Sequence, residues 1–169
     1  MVKLQGVMEN VGDNNFVPII RALWNEQKNR ELLYLEALKK DSMGNFRKLL
    51  SQGHVSAVLF QKEIRAIYDY FKCFLTDKEL GDTNQIASLA SLQSLENAKA
   101  PCEVASCLKK IESATLQLYK SLRSHLDRDT EAVQVLDEHL SRISEFYEVL
   151  CKLEVSSTAR KPVSYTAAA

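Results

Sequence analysis

Glycine and proline are scarce in this sequence, with 5 and 3 among 169 residues. An all-β chain of this length needs many more turn residues, so the scarcity excludes that class. Long apolar runs are missing as well. None approaches the ~20 residues that span a bilayer, and no membrane partner is expected. Neither sign of charge is in excess, since lysine plus arginine number 22 and aspartate plus glutamate number 22. Without a global field there is no pull toward nucleic acid, which is not expected as a partner either. Cys73, Cys102, Cys107 and Cys151 lie apart without CxxC spacing. Cys102 and Cys107, five residues apart on one helix, point to different faces, and free cysteines on helical seams behave as small hydrophobes. These features, with an N-terminus that turns polar by its tenth residue and so lacks a signal peptide, place the protein in a reducing, cytoplasmic setting. No glycine-rich phosphate loop and no nucleophile with a general base at readable spacing occur, so neither a cofactor nor an enzymatic reaction is expected.

What the chain does contain is helical periodicity. From Ala105 to Leu126, residues Cys107, Leu108, Ile111, Thr115, Leu118, Leu122 and Leu126 recur in steps of three and four. Such spacing returns to one side of an α-helix and lays an apolar stripe along it. Phe46, Leu49, Leu50, Gly53, Ala57, Phe60, Ile64, Ile67, Tyr68 and Phe71 form a second stripe, and Val133, Leu136, Leu140, Ile143, Phe146, Tyr147, Leu150 and Leu153 a third. The first stripe in the chain differs from these. It reads Ile20, Leu23, Trp24, Gln27, Arg30, Tyr34, Ala37 and Leu38, with a polar centre.

The spacing predicts helices over about 15–40, 45–75, 102–126 and 130–154. Asn14 or Asn15 is expected to cap the first, with Pro18 tolerated in its opening turn. The turn DSMGN joins the first two, a short capped turn from Asp41 to Asn45. Between helices two and three lies a long connection, with a crossover helix over about 84–99 that carries Ile86, Leu89, Leu92 and Leu95 on one face. A link of that length can run back along a bundle and start helix three at the end where helix two began. Residues 1–14 read as a flexible lead-in, 15–155 as the bundle, and 156–169 as a flexible tail. The fold class expected is all-α: a four-helix bundle with a long, partly helical crossover.

Glu112 is the residue that raises a chemical question. It lies on the stripe of helix three between Leu108 and Leu116, with Tyr119 seven residues on. A carboxylate on a bundle seam costs free energy unless something answers it. Gln27, Arg30 and a tyrosine hydroxyl are the expected partners, and in such a polar centre an amide at position 112 would serve as well as the carboxylate. His54, next to Gly53, and His139, between Leu136 and Ile143, read as hydrogen-bonded packing residues. The aromatic run AIYDYFKCF, at helical spacing with few basic neighbours, reads as core plus one exposed face rather than a platform for bases. Lys39, Lys40, Lys109 and Lys110 read as solvated charges.

The order of elements, with NEQKNRELLYLEALKK, GNFRKLLSQGHVSAVLFQKEI, CLKKIESATLQLYKSL and LDEHLSRISEFYEVL as its anchors, resembles the uncharacterised bacterial ferritin-like four-helix proteins related to stress-associated bundles. In metal-binding members of that fold, the first and third helices each give a glutamate, and the second and fourth each give a Glu-x-x-His pair. Carried over, the resemblance puts Gln27 and Glu112 at the single-glutamate positions, Ser56 and Leu59 in helix two, and Ser144 and Tyr147 in helix four. No Glu-x-x-His exists here, because His54, His125 and His139 follow Ser51, Leu122 and Leu136 at i−3. What the resemblance implies is a metal-free ferritin-like bundle, a structural or interaction module linked to stress response, that self-associates or docks another protein. The alternative is a di-metal oxidoreductase or iron-storage protein with degenerate ligands, for which Gln27 and Glu112 are the candidate positions.

Overall fold

A computed structural model describes residues 16–72, 89–126 and 130–158. The described residues are all-helical, with no strand among them. The helices are α1 (Phe16–Leu38), α2 (Phe46–Lys72), α3 (Leu89–Asn97), α4 (Pro101–Ser124) and α5 (Glu131–Thr158), with a short 3₁₀ turn at Asp41–Met43. The expected lead-in with its Asn14 or Asn15 cap, the first part of the crossover with Ile86, Cys73 and Phe74, and most of the expected tail lie outside the described residues.

Local chemistry sets the element boundaries. After α1 the chain tightens into the 3₁₀ turn and reverses at Gly44, whose φ of 50° falls in the left-handed region that glycine occupies without steric cost. Met43 then turns inward beside Phe46 and seals that end of the core. Pro101 opens α4, where its missing N–H costs nothing. Glu103 folds back to accept the Lys99 and Ala100 N–H groups at 2.7 and 3.1 Å, and those bonds hold its carboxyl below the usual range. Lys40 reaches across from the end of α1 to the Ala98 carbonyl at 2.7 Å, which places a cation at the negative end of α3.

The crossover helix is described over Leu89–Asn97, and α5 continues through Thr158, past the expected end at 154. The apolar stripe of α5 does stop near Leu153. A helix needs no stripe to extend by a turn, however, and no glycine or proline interrupts this one before Pro162. Ser156 Oγ bonds the Lys152 carbonyl at 2.7 Å, while Val155 is left exposed.

Side-chain bonds fix the helix directions. Gln61 bonds the Gln27 carbonyl and His54 that of Glu31, so α1 and α2 run antiparallel. Tyr119 meets His139 and Lys109 meets Glu154, so α4 and α5 run antiparallel too. Gln27 meets Tyr119 while Arg30 and Tyr34 meet Glu112, which sets α4 antiparallel to α1. Hence α2 and α4 run the same way, and α4 begins at the end where α2 began. The chain returns to that end through α3, where Leu95, and Ala98 just past the helix end, are buried beside Leu33, Met43 and Phe46.

Two apolar clusters result. One holds Leu33, Tyr34, Leu50, Val104, Leu108 and Leu150 near the α3 end, and the other holds Ile20, Leu23, Ile64, Leu122, Leu136 and Ile143 at the opposite end. Between them lies a layer of buried polar side chains: Gln27, Arg30, Ser56, Glu112, Thr115 and His139. No helix among the described residues is long and apolar enough to cross a membrane.

Candidate functional site

The polar layer is built where four helices carry polar residues at core positions. Helical spacing sends Gln27, Arg30 and Tyr34 to one face of α1, and Glu112 and Tyr119 to one face of α4. Arg30 and Glu112 are both 0% exposed. They pair bidentately, Nε to Oε2 at 2.9 Å and Nη2 to Oε1 at 3.0 Å. Tyr34 donates a third bond to Glu112, Oη to Oε1 at 2.5 Å. Around the guanidinium stand the rings of Tyr34, Phe60 and Phe146, with centroids 5.7 to 5.9 Å from its carbon. A cation over ring faces gains further electrostatic attraction. Burial works against the Arg30 charge, and the Glu112 carboxylate outweighs it, so the guanidinium is held above its ordinary value. Burial, reinforced by the Glu112 charge, pushes the Tyr34 phenol well up.

From Arg30 the bonding continues outward. Nη1 donates to Gln27 Oε1 at 2.7 Å, and Gln27 Nε2 donates to Tyr119 Oη at 2.8 Å. Tyr119 Oη in turn lies 2.8 Å from His139 Nδ1. On its other side the imidazole meets the carboxylate of Glu63, whose side chain is 52% exposed at the edge of α2. Phe60 stacks on the His139 ring with centroids 3.8 Å apart and planes 17° from parallel. Burial raises the Tyr119 phenol and lowers the His139 imidazole, so both are neutral at neutral pH. Ser56 takes a longer bond from Arg30 Nη2, 3.4 Å, and donates to the Gly53 carbonyl. Thr115 spends its hydroxyl on the Ile111 carbonyl of its own helix.

The structure thus brings Gln27, Arg30 and Glu112 together, with Tyr34 rather than Tyr119 as the hydroxyl on the carboxylate. Tyr119 answers Gln27 instead. His139 is buried and bonded on both ring nitrogens, and His54 bonds the Glu31 carbonyl. Sequence reasoning did not pair His139 with Glu63. No signal at fixed spacing could have done so, because Glu63 flanks the α2 stripe and the contact depends on how α2 and α5 are aligned.

This donor set does not fit a pair of metal ions. Oε1 of Glu112 already accepts two hydrogen bonds and Oε2 one, and Gln27 Oε1 is taken by the same guanidinium. A divalent ion at either candidate position would sit against a fixed positive charge. Of the other carried-over positions only Ser56 reaches that layer. Ser56 faces inward but serves Gly53, Leu59 is 51% exposed, Ser144 bonds the Leu140 carbonyl, and Tyr147 is half-buried. Leu59 thus corrects the alignment of helix two: the inner face passes through Ser56 and Phe60. Among the described residues no three His, Cys, Asp or Glu side chains group closely enough to hold a metal. Glu63, His139 and Tyr119 do stand in the order carboxylate, imidazole, hydroxyl that activates a nucleophile. Tyr119 is 1% exposed and its oxygen already accepts from Gln27, so it has no approach to a substrate.

Comparison of the chain with protein-family models, with curated proteins and with solved structures returned no match.

Proposed function

We propose that this chain is a metal-free four-helix bundle with a ferritin-like crossover, acting through its surface as a structural or interaction module in the cytoplasm. The observation that carries this reading is the state of Glu112. In the place where a metal-binding bundle of this plan would direct a carboxylate at an ion, the chain directs it at its own Arg30. The guanidinium supplies the positive charge, and its planar fork matches both carboxylate oxygens. The helix directions, with α4 starting beside the start of α2, support the ferritin-like connection. A link to stress response and a role in self-association or in docking another protein follow from the resemblance of the helix pattern. Val55 and Leu59 on α2 and Val149 on α5 are exposed apolar side chains available for such contacts.

Metal analysis of the purified protein tests this reading. We expect no stoichiometric iron, manganese or zinc, and a melting midpoint that chelators leave unmoved, because no metal contributes to folding. About two ions per chain, as in a di-metal bundle, would overturn it, above all if Glu112→Gln released them. Sedimentation across a range of concentrations then distinguishes self-association from docking of a different protein.

A further inference from the structure

Arg30 carries donors only, and this gives direction to everything bonded beyond it. Because Nη1 takes Gln27 Oε1, the Gln27 amide must turn Nε2 toward Tyr119. The Tyr119 oxygen accepts that bond, so its own hydrogen goes to His139 Nδ1. With Nδ1 accepting, the imidazole carries its proton on Nε2 and donates to the Glu63 carboxylate. The direction of every bond is set by one guanidinium, and α1, α2, α4 and α5 each contribute a member.

We propose that this directed chain is an acid-sensitive latch, closed while His139 is neutral and loosened when a second proton reaches Nδ1. Once on Nδ1, it sets N–H against the Tyr119 O–H. Tyr119 could then accept from His139 only while also accepting from Gln27, and its own hydrogen would lose its acceptor inside a site closed to water. A buried donor left without a partner costs free energy, and reversing Gln27 to relieve it would turn an amide donor onto Arg30. The conflict falls on the junction of α4, α5 and α2.

The charges around the imidazole divide. Glu63 on α2 and Glu138 on α5 favour its protonation, while burial and Arg30 on α1 oppose it; Glu112 on α4 is occupied by Arg30. Burial is the largest influence, and His139 sits below the ordinary value of 6.5. The sign of the linkage follows. The folded value lies below the unfolded one, so the latch contributes its full stability above about pH 6.5 and loses it as pH falls through the folded value.

NMR of the imidazole nitrogens in the full chain, titrated from about pH 8 to pH 5, tests the latch. We expect the Nε2–H tautomer at the alkaline end and a titration below 6.5. Amide protection in α2 and α5 around Glu63 and His139 should fall as His139 charges. Tyr119→Phe removes the hydroxyl that opposes the second proton, so the His139 titration should move up toward 6.5. A merely structural hydroxyl that welcomed the charged ring would give the opposite shift. An Nδ1–H tautomer at alkaline pH, a downward shift in Tyr119→Phe, or protection unchanged through the titration would each overturn the proposal. The tautomer and protection are read on the parent protein, so they decide the matter even where the variant fails to fold.

Discussion

Arg30→Met should cost about 3–5 kcal/mol of stability, the largest loss we expect from any single substitution in the chain. Methionine fills much of the arginine stem's space, so the penalty comes less from a cavity than from Glu112. That carboxylate would keep one hydroxyl bond from Tyr34, while its countercharge and bidentate partner would be gone from a position that is 0% exposed. Gln27 Oε1 would lose its donor at the same time. The double variant Arg30→Met/Glu112→Leu separates the cost of an unpaired charge from the worth of the pair. Replacing a buried ion pair by apolar groups is often neutral or better, so most of the loss should return. A residue of about 1–3 kcal/mol should remain for the Gln27 and Tyr34 groups left unsatisfied. Glu112→Gln is no longer expected to be silent. An amide offers one acceptor where Glu112 uses two oxygens, and its NH₂ would face a donor of Arg30 or of Tyr34. Urea unfolding of the four proteins measures all of this. An Arg30→Met variant within about 1 kcal/mol of the parent would mean that the pair is not desolvated.

The same residues show what was legible in the sequence and what was not. Apolar spacing located Leu108, Ile111, Thr115 and Leu122 on the inner face of α4, and all are buried. Polar residues standing at stripe positions marked Gln27, Arg30 and Glu112, because a helix that buries one face leaves such residues no other place. Partner choice was not legible. Tyr34 lies on α1, and whether it or a residue a turn away stands level with Glu112 depends on the axial alignment of α1 against α4, which 3.6-residue spacing does not encode. Leu59 was misplaced for a related reason. Its i+3 relation to Ser56 fits one face of a helix, but that face turns toward solvent before it reaches 59. Glu63 escaped because half-exposed residues flank every stripe, and only the approach of α5 singles this one out.

Gly53→Ala should destabilise the protein by about 1–3 kcal/mol, although the same change in an exposed helix interior gains about 1 kcal/mol of propensity. A Cβ on Gly53 would stand 2.5 Å from Cδ1 of Tyr34, well inside van der Waals contact. Whether the alanine is tolerated depends on whether that ring can retreat. It is 0% exposed, and its hydroxyl is held by Glu112, which Arg30 holds in turn. Moving the ring therefore means either breaking the Tyr34 bond to a buried carboxylate or spreading α1 from α2, and both exceed the gain in propensity. Tyr34→Phe tells these apart. It removes the hydroxyl and leaves the ring, so the ring can shift without breaking a bond. If the tether causes the penalty, Gly53→Ala should cost clearly less in the Tyr34→Phe background than in the parent, with a coupling of about 0.5–3 kcal/mol in a double-mutant cycle. If helix spacing alone causes it, the two costs should be equal. A Gly53→Ala variant that melts above the parent would show that the ring yields freely, and the close contact of α1 with α2 would then not depend on glycine at this position.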